Sequence, residues 1–157
     1  MMYKEKHINY NYSNRFNKKI QYIVIHDTGN PRKGANAQAH FRYFNQKGRN
    51  ASAHYFVDKD ESLQLVADEY SAWHCGDGKG KYGIFNYNSI GIELCINEDG
   101  DWEMTKSRAV LLIRQLLLKH KLDKKCVVRH FDASRKICPR KMHDIGWREW
   151  TLFYDSI

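Results

Sequence analysis

The sequence predicts a single α/β (or α+β) domain in which helices cover a mixed β-sheet. The chain has 157 residues, of which 42% are hydrophobic, and this length and composition suit one globular domain with a substantial core. Short runs rich in β-branched residues alternate with segments of helical periodicity, which is typical of a sheet flanked by helices. One pair of these runs is joined by "KDE", a connection typical of a β-hairpin.

The first third of the chain predicts an arm, a strand and a helix. Residues 1 to about 18 are charged and tyrosine-rich and are interpreted as an N-terminal arm. "IQYIVIH" (20–26) is an apolar, β-branched run that predicts a buried strand, and the turn residues of "DTGNPRKG" follow it. Asn36 is then predicted to cap a helix, because apolar residues follow at helical spacing, namely Ala37, Phe41 and Phe44.

The middle of the chain predicts three strands and a long loop. "AHYFVD" (53–58) and "SLQLVA" (62–67) are the two strands of the hairpin. Residues 68–88 are rich in Gly, His, Tyr and Asn and are interpreted as one long loop, which in a compact domain is often functional. "SIGIELCIN" (89–97) predicts the next buried strand, and "EDGD" ends it.

The last third predicts a long helix, a strand and a final helix. Thr105 is expected to cap the long helix, whose apolar face consists of Ala109, Leu112, Ile113, Leu116 and Leu117. "CVVRH" (126–130) is predicted to be the last strand. The segment "DIGWREWTLFY" carries an aromatic stripe at helical spacing, which indicates core packing for Trp147, Trp150 and Tyr154.

The net charge of the chain indicates which classes of binding partner its surface favours. The net charge is +8, from 26 Lys and Arg against 18 Asp and Glu. Such a surface favours nucleic acid, anionic lipid or an anionic cell wall, although a merely solvated basic surface explains it equally well. Apolar runs fall short of the ~18 residues that a membrane span requires, and the N-terminus lacks the apolar core of a signal peptide. We therefore expect no membrane span and synthesis in the cytoplasm.

The four cysteines leave two interpretations open. Their even number allows two disulfides. Cys95 and Cys126, however, lie in apolar, strand-like runs, and buried free thiols explain such positions more simply.

Three residues at the ends of predicted strands suggest a metal site. His26 ends the first predicted strand, His130 ends the last, and Cys138 follows eight residues later. If the two strands are neighbours, both imidazoles emerge at the same edge of the sheet. Two histidines and a cysteine form a zinc-binding set that leaves the fourth position open, as in catalytic zinc sites. The alternatives are core packing, half of a disulfide, or hydrogen-bonded structural histidines.

Five motifs occur in order along the chain: "VIHDTG", "ASAHYFVD", "AWHCGDG", "NSIGIEL" and "RHFDASRKICP". Through them residues 20–155 resemble the zinc-dependent N-acetylmuramoyl-L-alanine amidases of the bacteriophage T7 lysozyme and peptidoglycan-recognition-protein type, in particular the catalytic domains of phage and prophage endolysins. The resemblance implies a mixed, mostly five-stranded sheet flanked by helices. It also implies cleavage of the amide bond between N-acetylmuramic acid and the L-alanine of the stem peptide in bacterial peptidoglycan.

The resemblance also implies roles for individual residues. His26, His130 and Cys138 match the three ligands of one Zn²⁺ per chain. Glu93 matches the general base, and Lys136 matches a lysine that stabilises the transition state. The roles suit amide hydrolysis, because bound zinc lowers the pKa of water to about 7, a carboxylate can move the proton and an ammonium can hold the developing oxyanion.

Two more histidines are assigned to substrate binding by the resemblance. His74 matches a histidine at the edge of the cleft. His54 stands where some members have a tyrosine, which leaves substrate contact, proton transfer and support of a metal ligand open. His143 lies near the site in sequence, and we expect surface positions for His7, His40 and His120.

Three other functions compete with a lytic hydrolase. A non-catalytic peptidoglycan-binding module of the same fold typically lacks the ligand cysteine, which this chain keeps as Cys138. A nucleic-acid-binding protein is disfavoured because no such motif occurs and the Lys and Arg residues are scattered. A cytosolic amidase that recycles wall fragments shares the same zinc site.

The lead hypothesis sets the expected organisation and partners. We expect residues 1–157 to form one catalytic domain, with no wall-binding domain in this chain. Its partners are expected to be peptidoglycan and anionic wall polymers, with no nucleic acid. We expect it to act on the cell wall after release from the cytoplasm.

Overall fold

Residues 2–157, which a computed structural model describes, form eight strands and four α-helices. The strands are β1 (Lys4–Glu5), β2 (Tyr12–Asn14), β3 (Tyr22–Asp27), β4 (Tyr55–Val57), β5 (Ser62–Gln64), β6 (Tyr70–Ala72), β7 (Ser89–Leu94) and β8 (Val127–Arg129). The helices are α1 (Ala37–Phe44), α2 (Trp102–His120), α3 (His130–Ser134) and α4 (Arg148–Asp155). Within this part of the chain, no helix combines the length and the apolar composition required to cross a membrane.

Six of the strands form one mixed sheet in the order β1-β5-β4-β7-β3-β8. In this sheet of the described residues, β4 and β5 pair antiparallel, and the other neighbouring strands are parallel. β2 and β6 form a separate antiparallel pair. Because β7, β3 and β8 are adjacent and parallel, their carboxyl ends meet at one edge of the sheet, where α/β proteins place their sites.

The two faces of the sheet bury different helices. On one face, Ile23 and Ile25 of β3 and Ile90 and Ile92 of β7 pack against the apolar sides of α2 and α4. The other face is covered by α1, by α3 and by the segment around Cys75. Since side chains alternate along a strand, the side chains directly before and after each of these isoleucines point away from α2. His26 and Glu93, which are paired in register, therefore share that second face.

Most of the predicted elements are confirmed. The α/β class, the mixed sheet, the hairpin of β4 and β5 and the long second helix are all present. Asn36 caps α1, and its side-chain oxygen accepts a hydrogen bond from the backbone N–H of Ala39 at 3.0 Å. The final aromatic stripe packs on the core as expected, although Trp147 precedes α4 and has a positive φ of 61°.

Three predictions about elements are wrong. The segment interpreted as an N-terminal arm, of which residue 1 lies outside the described residues, contains strands that were not predicted, namely β2 and also β1, a sixth strand in the main sheet where mostly five were expected. The predicted loop 68–88 contains β6. The long helix begins at Trp102, where Asp101 is the cap and its Oδ1 accepts from the N–H of Met104 at 2.9 Å.

Thr105 and His130 also occupy other positions than predicted. Thr105 lies in the first turn of α2, where its hydroxyl donates to the carbonyl of Asp101 at 2.7 Å. His130 does not end β8, because it is the first residue of α3. The strand and the helix are continuous in the chain, so His130 still emerges at the carboxyl edge of the sheet.

Candidate active site

The structure brings His26, His130 and Cys138 together at this edge. Their nearest ligand atoms all lie within 4.8 Å of one another. The two imidazole centroids are 4.6 Å apart, and Nδ1 of His26 is 3.7 Å from Sγ of Cys138. The arrangement follows from the pairing of β3 with β8, which places His26 beside the start of α3, and Cys138 lies on the loop after α3. All three side chains are buried.

The three donor atoms fit a zinc ion. Nδ1 of His130 is buried and has no hydrogen-bond partner in residues 2–157. A buried nitrogen without a partner is costly, unless it faces a group that coordinates its lone pair. Two imidazole nitrogens and a thiolate are the mixed nitrogen and sulfur set that zinc prefers.

Glu93 projects from β7 beside this set. Its Oε1 is 4.0 Å from Nδ1 of His26, and its Oε2 is buried without a hydrogen-bond partner in the described part of the chain. Burial raises the pKa of Glu93 well above its usual range, Asp27 adds to this effect and the ammonium of Lys136 opposes it. A nearby divalent cation favours the ionised carboxylate. Glu93 is therefore a carboxyl group placed where it could exchange a proton with a group in the cleft.

These residues line a cleft of about 700 Å³. Lys136 is exposed on the loop that leads from α3 to Cys138, and it lines the cleft together with Arg140 and Lys141. Phe44 and Trp73 also line it. The cleft thus combines basic and aromatic side chains with the candidate metal ligands.

His74 lines the cleft and also contacts a candidate metal ligand. Its Nδ1 lies 3.0 Å from Nε2 of His26. Burial, with the neighbouring His54, His130 and Arg15 adding to it, lowers the pKa of His74 well below its usual range. His74 is therefore a neutral imidazole that is engaged with the protein.

His54 lies outside the cleft, so its assignment to substrate binding is wrong. It is 0% exposed, and a side chain with no exposed surface cannot contact a substrate. Its Nδ1 accepts from the N–H of Gly91 at 3.0 Å, and its Nε2 lies 3.1 Å from the carbonyl oxygen of Tyr70. Burial, together with the charge of Arg15, lowers the pKa of His54 to about 3. His54 is a neutral residue that links β4 to β6 and β7.

Two histidines expected on the surface are partly buried. His40 stacks on Phe56, with ring centroids 5.1 Å apart. Nε2 of His120 lies 2.8 Å from Oδ2 of Asp68. His7 and His143 are exposed, and His143 packs its ring on Trp147 at 4.7 Å.

Sequence reasoning missed Asp77. Its Oδ1 accepts from Nε2 of His130 at 2.7 Å, across 53 positions of the chain. Hydrogen bonding to His130 outweighs the effect of partial burial and lowers the pKa of Asp77. The signal available in the sequence was only that Asp77 lies in "AWHCGDG", inside the segment interpreted as a functional loop.

The four cysteines are free thiols in residues 2–157.

Comparison with known proteins identifies the relatives of the chain. A family model described as N-acetylmuramoyl-L-alanine amidase matches residues 16–141. The chain is 38% identical over 136 residues to the N-acetylmuramoyl-L-alanine amidase CwlH of Bacillus subtilis (strain 168), covering 87% of this chain and 52% of CwlH. It is 41% identical over 123 residues to the amidase XlyA of the same organism, covering 78% of this chain and 40% of XlyA. The chain thus spans about half or less of the length of these curated relatives.

Solved structures share the fold. A mutant endolysin from Bacillus subtilis superposes with a TM-score of 0.85 at 37% identity, covering 98% of this chain and 96% of that chain. PlyL superposes with a TM-score of 0.83 at 28% identity, covering 99% of this chain and 96% of that chain.

Proposed function

This chain belongs to the N-acetylmuramoyl-L-alanine amidase family, and from this premise we propose that it is a zinc-dependent peptidoglycan hydrolase. The proposed reaction is cleavage of the amide bond between N-acetylmuramic acid and the L-alanine of the stem peptide. The observation that carries the proposal is the convergence of His26, His130 and Cys138 with Glu93 and Lys136 in one cleft. A binding module has no use for a buried carboxyl oxygen without a partner beside three metal-ligating atoms.

One zinc ion per chain is proposed to be held by His26, His130 and Cys138. When bound, zinc supplies a Lewis acid for the carbonyl of the scissile amide and lowers the pKa of an attacking water. The unpaired Nδ1 of His130 supports this assignment, because coordination would satisfy it.

In the proposed reaction, Glu93 transfers the proton and Lys136 stabilises the developing negative charge. As water attacks the carbonyl carbon, its proton passes to the carboxylate of Glu93. Glu93 next gives that proton to the alanine nitrogen, the C–N bond breaks, and a lactyl carboxylate and a free amine result. The ammonium of Lys136 stabilises the negative charge that develops on the former carbonyl oxygen.

The aromatic and basic side chains of the cleft suit the two parts of the substrate. Trp73 offers an aromatic surface on which a sugar ring can pack. Arg140 and Lys141 offer cations to carboxylates of the stem peptide. The net charge of +8 also favours contact with anionic wall polymers, so the proposed site of action is the bacterial cell wall.

Digestion of purified peptidoglycan sacculi tests the proposed bond. We expect mass spectrometry of the products to show new amino termini of L-alanine on released peptides, together with intact glycan chains. Glu93→Gln is the matched control and is expected to release far less. Binding to sacculi without release of L-alanine termini by the wild-type protein would instead identify a non-catalytic module.

Removal of the metal tests the proposed cofactor. We expect metal analysis of active protein to give one zinc per chain. Chelation is expected to abolish hydrolysis, and added zinc is expected to restore it. Active protein with far less than one zinc per chain would contradict this part of the proposal.

A further inference from the structure

Both candidate ligand histidines are held by one short segment of the chain. Nε2 of His26 bonds to Nδ1 of His74 at 3.0 Å, and Nε2 of His130 bonds to Oδ1 of Asp77 at 2.7 Å. His74 and Asp77 belong to "HCGDG", residues 74–78. The other ring nitrogens face the metal position, since Nδ1 of His26 is 3.7 Å from Sγ of Cys138 and Nδ1 of His130 has no hydrogen-bond partner within residues 2–157.

The hydrogen-bond chain behind His26 determines where its proton lies. The carbonyl oxygen of Phe85 can only accept, so the hydroxyl of Ser89, 2.6 Å away, donates to it. The oxygen of Ser89 must therefore accept from Nε2–H of His74 at 3.1 Å. Nδ1 of His74 is then a bare acceptor, and Nε2–H of His26 donates to it. This leaves the Nδ1 lone pair of His26 free for a metal.

The same logic applies to His130. A carboxylate only accepts, so Nε2 of His130 carries the proton that Asp77 receives. Both ligand histidines are thus held in the tautomer that presents Nδ1 to the metal position.

The segment itself is placed by close packing. Oδ1 of Asn86 accepts from the backbone N–H groups of His74 and Cys75 at 3.1 and 2.9 Å. A Cβ on Gly78 would lie 2.1 Å from the carbonyl oxygen of Ala133 in α3, so glycine allows the turn to press against the helix that begins with His130. A Cβ on Gly91 would lie 2.6 Å from the ring of His74, so glycine in β7 makes room for that ring.

We propose that His74 and Asp77 are positioning residues that orient the two ligand histidines for zinc, an inference that rests on the proposed zinc site. His74 acts through His26, and Asp77 acts through His130. We call residues 74–78 the ligand clamp. In this assignment the contact of His74 is with the metal ligand rather than with the substrate.

Zinc affinity of the full chain tests the ligand clamp without any activity measurement. Dissociation constants are measured by competition with a chromophoric chelator on metal-free protein. His74→Ala and Asp77→Ala are each expected to weaken zinc binding about 10- to 100-fold, the usual effect of losing a partner of a metal ligand. His74→Asn and Asp77→Asn keep an acceptor atom at the same position and are expected to recover part of the loss.

A second His–Asp pair provides the matched control. His120 bonds Asp68 at 2.8 Å, close to the 2.7 Å of the His130–Asp77 pair, but neither His120 nor Asp68 lines the cleft. His120→Ala is expected to lower the melting temperature of the metal-free protein and to leave zinc affinity within about twofold of wild type. The clamp variants are expected to show the opposite pattern, with weak zinc binding and a nearly unchanged metal-free melting temperature.

Three outcomes would overturn the inference. Unchanged zinc affinity in both alanine variants would overturn the clamp alone. If the variants lose zinc affinity in proportion to their loss of metal-free melting temperature, His74 and Asp77 would have only a structural role. Wild-type protein that binds no zinc would overturn the proposed metal site, and the clamp with it.

If His74→Ala does not fold, Ser89→Ala provides a second test. It removes the acceptor behind His74, and a loss of zinc affinity of about tenfold is expected.

Discussion

Two carboxyl groups, Asp68 in the turn before β6 and Glu93 on β7, have opposite surroundings. Asp68 is fully paired, because its Oδ1 accepts from the hydroxyl of Tyr55 at 2.7 Å and from Gln64 at 3.0 Å. Its Oδ2 accepts from Lys119 and His120, both at 2.8 Å. Glu93 instead keeps one buried oxygen without a hydrogen-bond partner in residues 2–157.

The pKa values follow this contrast. Burial alone raises the pKa of Asp68, but hydrogen bonds from His120, Lys119 and Tyr55 outweigh it and hold the pKa well below its usual range. Burial raises the pKa of Glu93 with little to offset it. A paired carboxylate stabilises the fold, whereas an unpaired one destabilises it and is available for chemistry. The Asp68 network is therefore structural, and the Glu93 site is the one that chemistry can use.

Glu93→Gln gives the sharpest test of this contrast. The amide keeps the shape of the side chain and removes the proton acceptor, so we expect kcat to fall by ~10²–10⁴, the usual contribution of a general base. Turnover of purified peptidoglycan measures it, with zinc content as the control. Near-normal turnover with zinc retained would move the base to another residue.

Lys136→Ala tests the positive side of the site. We expect kcat to fall by ~10²–10³, the usual loss for one group that stabilises an oxyanion. KM, zinc content and melting temperature are expected to change little, because Lys136 is exposed and the charge that it meets exists only near the transition state. A wild-type kcat, or loss of zinc, would show that Lys136 has a different role.

Asp68→Ala tests whether the Asp68 network stabilises the fold. Removing this carboxylate leaves the hydroxyl of Tyr55 without its acceptor and leaves Lys119 and His120 without their partner, so we expect the free energy of unfolding to fall by about 3 kcal/mol. Denaturant titration of the metal-free protein measures the loss. Zinc affinity of the folded protein is expected to stay at the wild-type value. A stable Asp68→Ala variant with weakened zinc binding would show that the Asp68 network is not purely structural and would contradict its contrast with the Glu93 site.

His40 tests whether an unpaired buried atom marks chemistry wherever it occurs. Nε2 of His40 is also buried without a hydrogen-bond partner in the described chain, but His40 does not line the main cleft. Burial, opposed by a hydrogen bond to the backbone of Ala35, lowers the pKa of His40 to about 4. The unfolded chain, with a histidine pKa of about 6.5, therefore binds more protons between these values. Stability is expected to fall as the pH falls from about 6.5 to about 4.

His40→Phe isolates this effect, because it keeps the ring that stacks on Phe56 and removes the titration. Over that pH range, the wild-type protein is expected to lose on the order of 2 kcal/mol more unfolding free energy than the variant. Denaturant titrations of both metal-free proteins at several pH values measure the difference. Parallel curves would show that His40 does not contribute. Unchanged peptidoglycan turnover in the variant is also expected.

The sequence determined the elements that depend on local patterns. Apolar, β-branched runs identified β3, β7 and β8, and Asn36 before a 3.6-residue pattern identified α1. The positions of His26 and His130 after such runs predicted that both would emerge at one edge, and the parallel pairing of β3 with β8 confirms that these strands are neighbours. These features could be predicted because periodicity and capping act within a few residues of the chain.

The tertiary structure alone decided the rest. β1 has only two residues and both are exposed, so no pattern marks it, and its pairing with β5 depends on residues 59 positions away. His54 lies in a strand-like run, but only the approach of Arg15, Tyr70 and Gly91 shows that it is enclosed. Likewise, Asp77 meets His130 only because a close-packed turn presses against α3. Contacts between distant segments lie outside the range of local propensity, so burial and partnership emerge only when the chain is folded.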